Sequence, residues 1–188
     1  MYDLSDFKKG LRIMVEGSPY SVVDFQHVKP GKGNQFIRTR LRNLLTKQQL
    51  ERTFKSGEKF EVPDVQNIEM TFLYKDENGF NFMNQANYEQ ITILTNEMGE
   101  AQNFLTENLQ VVVLFYNKRP ASVDVPNAVN LKVAKTDPGV KGDRVTGATK
   151  PATMETGLVI NVPLHINEGD LLRVDTTEGG AYVSRVNE

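Results

Sequence analysis

The chain has 188 residues, 22 Lys and Arg, 24 Asp and Glu, two histidines, no cysteine and no tryptophan. Without cysteine there is no disulfide scaffold, no thiolate metal site and no cysteine nucleophile. His27 and His165 are too few and too far apart in sequence for a multi-histidine site, and a formal net charge of −2 signals no polyanionic partner. In chain order, the pattern is one of short runs alternating apolar and polar residues, each closed by turn residues. The first such runs are 11–15, ending at Gly17-Ser18-Pro19, then 20–25, and then 35–44 after Pro30-Gly31-Lys32-Gly33-Asn34. Runs 70–74 and 80–83 flank Asp76-Glu77-Asn78-Gly79, where Asn-Gly is a strong hairpin signal because both residues tolerate positive φ. Met98, Ala101, Leu105 and Leu109 recur at steps of three and four after Asn96, which predicts a short helix with Asn96 as its cap. Further strands are expected at 111–116, 121–125, 130–135, 158–162, 171–175 and 182–185, and the glycine-rich stretch 138–151 is expected to be a loop. About a dozen strands with little helix predict a mainly β protein.

The longest unbroken apolar run, from Val111 through Tyr116, is six residues, whereas a spanning helix needs roughly 20. The first residues are polar and acidic, without the apolar core of a signal peptide. The expectation is a cytoplasmic protein with no membrane partner.

Charge divides the chain. Residues 1–63 carry a net +5, residues 64–127 a net −6 and residues 128–188 a net −1. With breaks near Pro63-Asp64 and Pro126-Asn127, this predicts three domains of about equal size, each small enough to bury only a limited core alone. The richest stretch is 29–55, where Lys29, Lys32, Arg38, Arg40, Arg42, Lys47, Arg52 and Lys55 stand against one acid, Glu51. Arg38, Arg40 and Arg42 alternate with Ile37, Thr39 and Leu41, so a strand would place the three guanidiniums in a row on one face, roughly 7 Å apart, near the spacing of backbone phosphates. The tip, Pro30-Gly31-Lys32-Gly33-Asn34, holds a lysine between two glycines and is not a nucleotide-binding P-loop, because Gly33 stands where Ser or Thr is required. In the later loop, Arg144 and Lys150 supply positive charge, and long loops of this kind are usually functional. No serine has a nucleophile context, no carboxylate pair can be placed, and no catalytic residue, metal site or cofactor is expected.

Several segments together resemble the bacterial translation elongation factor P family across nearly the whole chain. These are Asp6-Phe7-Lys8-Lys9-Gly10-Leu11 leading to Lys29-Pro30-Gly31-Lys32-Gly33, Arg40-Leu41-Arg42-Asn43-Leu44, Met83-Asn84 with Tyr88-Glu89-Gln90, Thr136-Asp137-Pro138-Gly139, and Lys150-Pro151-Ala152-Thr153-Met154-Glu155-Thr156-Gly157. The closing Tyr182-Val183-Ser184-Arg185 also matches, and with the intact Lys32 tip it favours the main family over an elongation-factor-P-like paralogue.

The resemblance implies three small β-barrels that mimic the outline of a tRNA: an SH3/KOW-like domain over 1–63 and oligonucleotide-binding (OB) folds over 64–127 and 128–188. It implies a factor that binds the 70S ribosome beside peptidyl-tRNA and relieves stalling at consecutive prolines by holding the CCA end, and a monomer is the simpler expectation. Lys32 would approach that end and would be the target of a lysine-modifying enzyme. The tRNA-facing set implied is Lys29, Pro30, Gly31, Lys32, Gly33, Asn34, Arg38, Arg40 and Arg42. The ribosome-contact loop implied is Gly142, Asp143, Arg144, Thr146, Gly147, Thr149 and Lys150. The alternative class is a general binder of single-stranded nucleic acid, which normally carries several exposed aromatics for stacking. The stretch 29–55 has only Phe36 and Phe54.

Overall fold

The structure, a computed structural model, describes residues 1–139 and 147–187. Among these, the strands form three antiparallel sheets. The first joins β1 (Arg12–Val15), β2 (Ser18–Val28), β3 (Phe36–Asn43) and β4 (Gln49–Lys55) in sequence order. Period-two alternation drives it: along β3, Ile37, Thr39 and Leu41 are buried while Arg38, Arg40 and Arg42 are exposed. The inward residues meet Phe7, Leu11, Ile13, Val15, Val22, Phe54 and Phe60 in one core. Its centre is aromatic, with ring centroids 4.7 Å apart for Phe54–Phe60 and 5.4 Å for Phe7–Phe60, the edge-on and tilted geometries that ring quadrupoles favour. Main-chain hydrogen bonds between Tyr2 and Phe60, and from the Met14 amide to the Glu61 carbonyl, fasten both ends of the segment against this sheet.

The second sheet has the order β7-β6-β5-β8-β9, from β5 (Val65–Lys75), β6 (Phe80–Asn84), β7 (Gln90–Ile93), β8 (Gln110–Tyr116) and β9 (Arg119–Asp124). The expected hairpin at 76–79 forms. Asp76 Oδ1 accepts from the amides of Asn78 and Gly79, and only Gly79 of the pair takes positive φ. A Cβ at Gly79 would lie 2.2 Å from the Ile93 carbonyl oxygen, so the backbone itself fills that space.

The third sheet has the order β12-β11-β10-β13-β14, from β10 (Ala128–Thr136), β11 (Thr149–Met154), β12 (Val159–Pro163), β13 (Leu171–Asp175) and β14 (Ala181–Arg185). Bulges at Val133/Lys135 and at Arg173/Val174 bend two of its strands. Leu131, Met154, Val162, Ile166, Leu172 and Val174 form its core together with Phe104, which comes from the segment before β8. By contact the chain makes two compact units: Met1–Gln66 with Phe115–Ala121, and Asn67–Leu114 with Ser122–Glu188.

Two expectations are corrected. The helix after Asn96 is two short 3-10 turns, Thr95–Glu97 and Gly99–Phe104. The first is capped at Leu94 with no side-chain hydrogen bond, and Gly99 at φ 59 interrupts any α-helical path between them. The apolar spacing reflects burial of Met98, Phe104 and Leu105 rather than an α-helical stripe. The loop expected over 138–151 ends sooner, because Thr149, Lys150 and Pro151 already pair with β12. Strands β4, β7 and β11 were not anticipated.

Candidate nucleic-acid interface

The Lys32 tip is the loop between β2 and β3. Val28 pairs with Phe36 at its base, and the Ser56 amide donates to the Gln35 carbonyl beside it at 3.1 Å. Lys29, Pro30, Gly31, Lys32, Gly33 and Asn34 are all exposed. Gly33 turns the chain at φ 132, where an L side chain would be strained. Among the described residues, no hydrogen bond or ion pair holds the Lys32 ammonium.

From that loop the arginine row runs down β3. Arg38 is adjacent to the Phe36 ring, 5.8 Å from its centroid, which orients the guanidinium by a cation–π contact. The register shows what the sequence does not. Arg38 faces Gln26 on β2 and Thr53 on β4, and Arg42 faces Ser21 and Gln49. Arg40 faces Asp24 on one side and Glu51 on the other. The middle arginine therefore sits between two carboxylates, while its neighbours sit between neutral hydrogen-bonding groups. The surface cleft over this face, lined by Asp24, Gln26, Arg38, Arg40, Glu51 and Arg52 among others, has a volume of about 500 Å³.

Arg52 belongs to the other face of the sheet, opposite Thr39. Its Nη1 donates to Glu16 Oε1 at 2.9 Å. That hydrogen bond, and then the paired charge, holds the Glu16 carboxyl below its ordinary value and raises Arg52. Lys9 is paired with Asp24 at 3.7 Å between exposed side chains, a contact of little energetic weight. A second cleft, of about 460 Å³, lies at the foot of the tip and brings His27, Lys29 and Lys59 beside Asp3 and Ser5. Sequence reasoning read His27 as a structural or weak RNA-contact residue and did not single out Lys59. Charge alone would have found Lys59, but only the β2 register brings His27 to this cleft.

The implied ribosome-contact loop divides. Gly142, Asp143, Arg144 and Thr146 lie outside the described residues. Gly147 and Thr149 are exposed, whereas Lys150 is buried, 7% exposed, in β11. Among the described residues no group of three or more His, Cys, Asp or Glu side chains could hold a metal ion. No helix there is long and apolar enough to cross a membrane.

A basic, sheet-built face with a mobile-length lysine side chain at its tip is suited to contact with a phosphate backbone, and comparison with known proteins gives that chemistry a family. Residues 3–60 match the elongation factor P KOW-like domain, residues 65–123 its OB domain and residues 129–185 its C-terminal domain. Over its full length the chain is 69% identical to the whole of elongation factor P from Bdellovibrio bacteriovorus. It is 49% identical to that of Maridesulfovibrio salexigens, with 98% of this chain and 99% of the relative covered. Among solved structures, a eukaryotic translation initiation factor 5A from Methanococcus jannaschii superposes with a TM-score of 0.50 at 21% identity, over 66% of this chain and 90% of that one. An eif-5a family protein from Naegleria fowleri gives 0.52 at 15% identity, over 66% and 96%. These two likenesses concern the fold alone. The three domain matches and the full-length identities establish that the chain belongs to the elongation factor P family of translation factors.

Proposed function

We propose that this factor binds the 70S ribosome beside peptidyl-tRNA and speeds peptide-bond formation at consecutive prolines by holding the CCA end. The observation that carries the reading is the unpaired Lys32 at an exposed tip, with Arg38 and Arg42 on the strand leading away from it. A proline nucleophile is sterically constrained, and a run of prolines strains the peptidyl-tRNA. The factor presents no acid, base or nucleophile for the reaction. Its contribution is orientational, narrowing the positions of the reacting ends while the ribosome performs the chemistry. Lys32 approaches the CCA end and is also the acceptor for a lysine-modifying enzyme, since a longer cationic arm adds reach and hydrogen-bond donors. Lys29, Pro30, Gly31, Gly33 and Asn34 shape the tip, and Arg38, Arg40 and Arg42 meet the acceptor arm. The three modules over 1–63, 64–127 and 128–188 act as one cytoplasmic monomer, whose third-module loop from Gly142 to Thr149 faces the small subunit.

The test is translation of reporters with and without proline runs, supplied with the natural factor or with Lys32→Ala. The variant keeps its unfolding transition, because Lys32 contacts no core, and loses stall relief on the proline reporters only. Equal yield with both proteins would overturn the assignment of Lys32.

A further inference from the structure

Lys150 stands apart from the other basic residues of the third sheet. It is 7% exposed, lies opposite Val162 within β11, and its ammonium donates to the main-chain carbonyl of Asp137. Burying a cation costs more than burying a methylene chain, so a site that needed only volume would be served by methionine. The surrounding contacts converge on the same short stem. The Thr136 hydroxyl donates to the Pro151 carbonyl at 3.0 Å, and the Thr136 amide donates to Glu168 Oε1 at 3.3 Å. A Cβ on Gly139 would lie 2.4 Å from the Leu164 carbonyl oxygen, so the chain there is pressed against backbone. The chain leaving β10 and the chain entering β11 are thus tied by side chains at two points, Thr136 to Pro151 and Lys150 to Asp137, and of these two the buried ammonium is the one carrying a charge.

We infer that Lys150 is a positioning residue whose ammonium latches the Asp137 carbonyl and so sets the direction in which the chain leaves the third sheet at Gly139. What the loop then meets rests on the function proposed above; the latch itself does not. Lys150 is accordingly a support for that loop and makes no contact with the ribosome.

Because the chain has no cysteine, Lys150→Cys introduces a unique thiol. Aminoethylation of the unfolded full-length variant, in which the thiolate displaces bromide from 2-bromoethylamine, rebuilds a lysine-like arm after refolding. Propylation gives an arm of equal length without the charge. Two readouts are taken on each protein: amide exchange at Thr136, whose amide is held by Glu168 Oε1, and at Thr149 and Ala152 of β11, and stall relief on proline reporters. The aminoethyl form matches the natural factor in both. The propyl form keeps the global unfolding transition but exchanges those amides about tenfold faster, the size expected when a charged donor to a carbonyl is lost, and its stall relief falls. Lys150→Met, made directly, repeats the neutral comparison without refolding. Equal exchange in the propyl and aminoethyl forms would overturn the latch. Faster exchange with undiminished relief would overturn its positioning role. A natural factor that relieves no stalling would overturn the proposed function, with exchange still deciding the latch.

Discussion

Two lysines show how far one side chain's role depends on its surroundings. Lys32 is exposed at a loop tip and costs nothing to hold there. Lys150 is buried with its ammonium on a carbonyl. Among the carboxylates, hydrogen bonds act more than burial. The Ser5 hydroxyl and amide hold Asp3 low, Thr177 does the same for Asp175, and Arg52 for Glu16. A carboxyl whose folded pKa is depressed adds stability above its unfolded value and loses that addition as pH falls through the folded value. For Glu16 the addition is complete above its ordinary 4.5 and disappears below it. Glu16→Gln is therefore expected to narrow the difference in urea midpoint between neutral pH and pH values well under 4.5, with little change at the acid end. The pair is exposed, so the effect is small. An identical pH dependence in Glu16→Gln would show that the Arg52 contact is absent in solution.

At the level of elements, β2 and β3 were legible in the sequence and β4 was not. Strict alternation of Ile37, Thr39 and Leu41 with three arginines leaves one face for the core. β4 was hidden because its inward positions are Leu50, Arg52 and Phe54, where one long cation breaks the apolar pattern. β7 is only four residues long. β11 was masked by Pro151, which ordinarily marks a loop or strand edge, although here its carbonyl accepts the Thr136 hydroxyl. The row of arginines was visible, but its uneven charge was not, because the acids facing Arg40 come from β2 and β4. That unevenness makes a prediction. Arg38→Gln and Arg42→Gln should each weaken binding to tRNA or ribosomes and lower the log–log salt slope by about one. Arg40→Gln should lower it less, since acidic residues, Asp24 and Glu51, stand opposite it on both neighbouring strands. Three equal slope changes, measured by titration across salt concentrations, would refute the difference.

At the scale of the whole molecule, a net charge of −2 averages a segment of +5, one of −6 and one of −1, so the total conceals the part suited to RNA. The segment from Lys150 through Gly157 was legible as a family signature, yet its physical work appears only in the fold. The Thr156 hydroxyl donates to the Asn103 carbonyl at 2.6 Å, and the next residue, Phe104, is 2% exposed and sits in the core of the third sheet. A short 3-10 turn preceding β8 thus supplies an aromatic ring to a barrel that begins more than twenty residues later in the chain. Small barrels bury limited apolar surface by themselves, so a borrowed ring is a large share of such a core. Phe104→Ala should cost about 3–5 kcal/mol, the range for emptying a buried phenylalanine site. Thr156→Val should cost less, about 1–3 kcal/mol, because it leaves the Asn103 carbonyl without its donor while keeping the side-chain volume. Both losses should be read as faster amide exchange along β10, β11 and β13 and as a lower denaturant midpoint. If Phe104→Ala left exchange in those strands unchanged, the ring would not belong to their core, and the third sheet would have to stand on its own side chains.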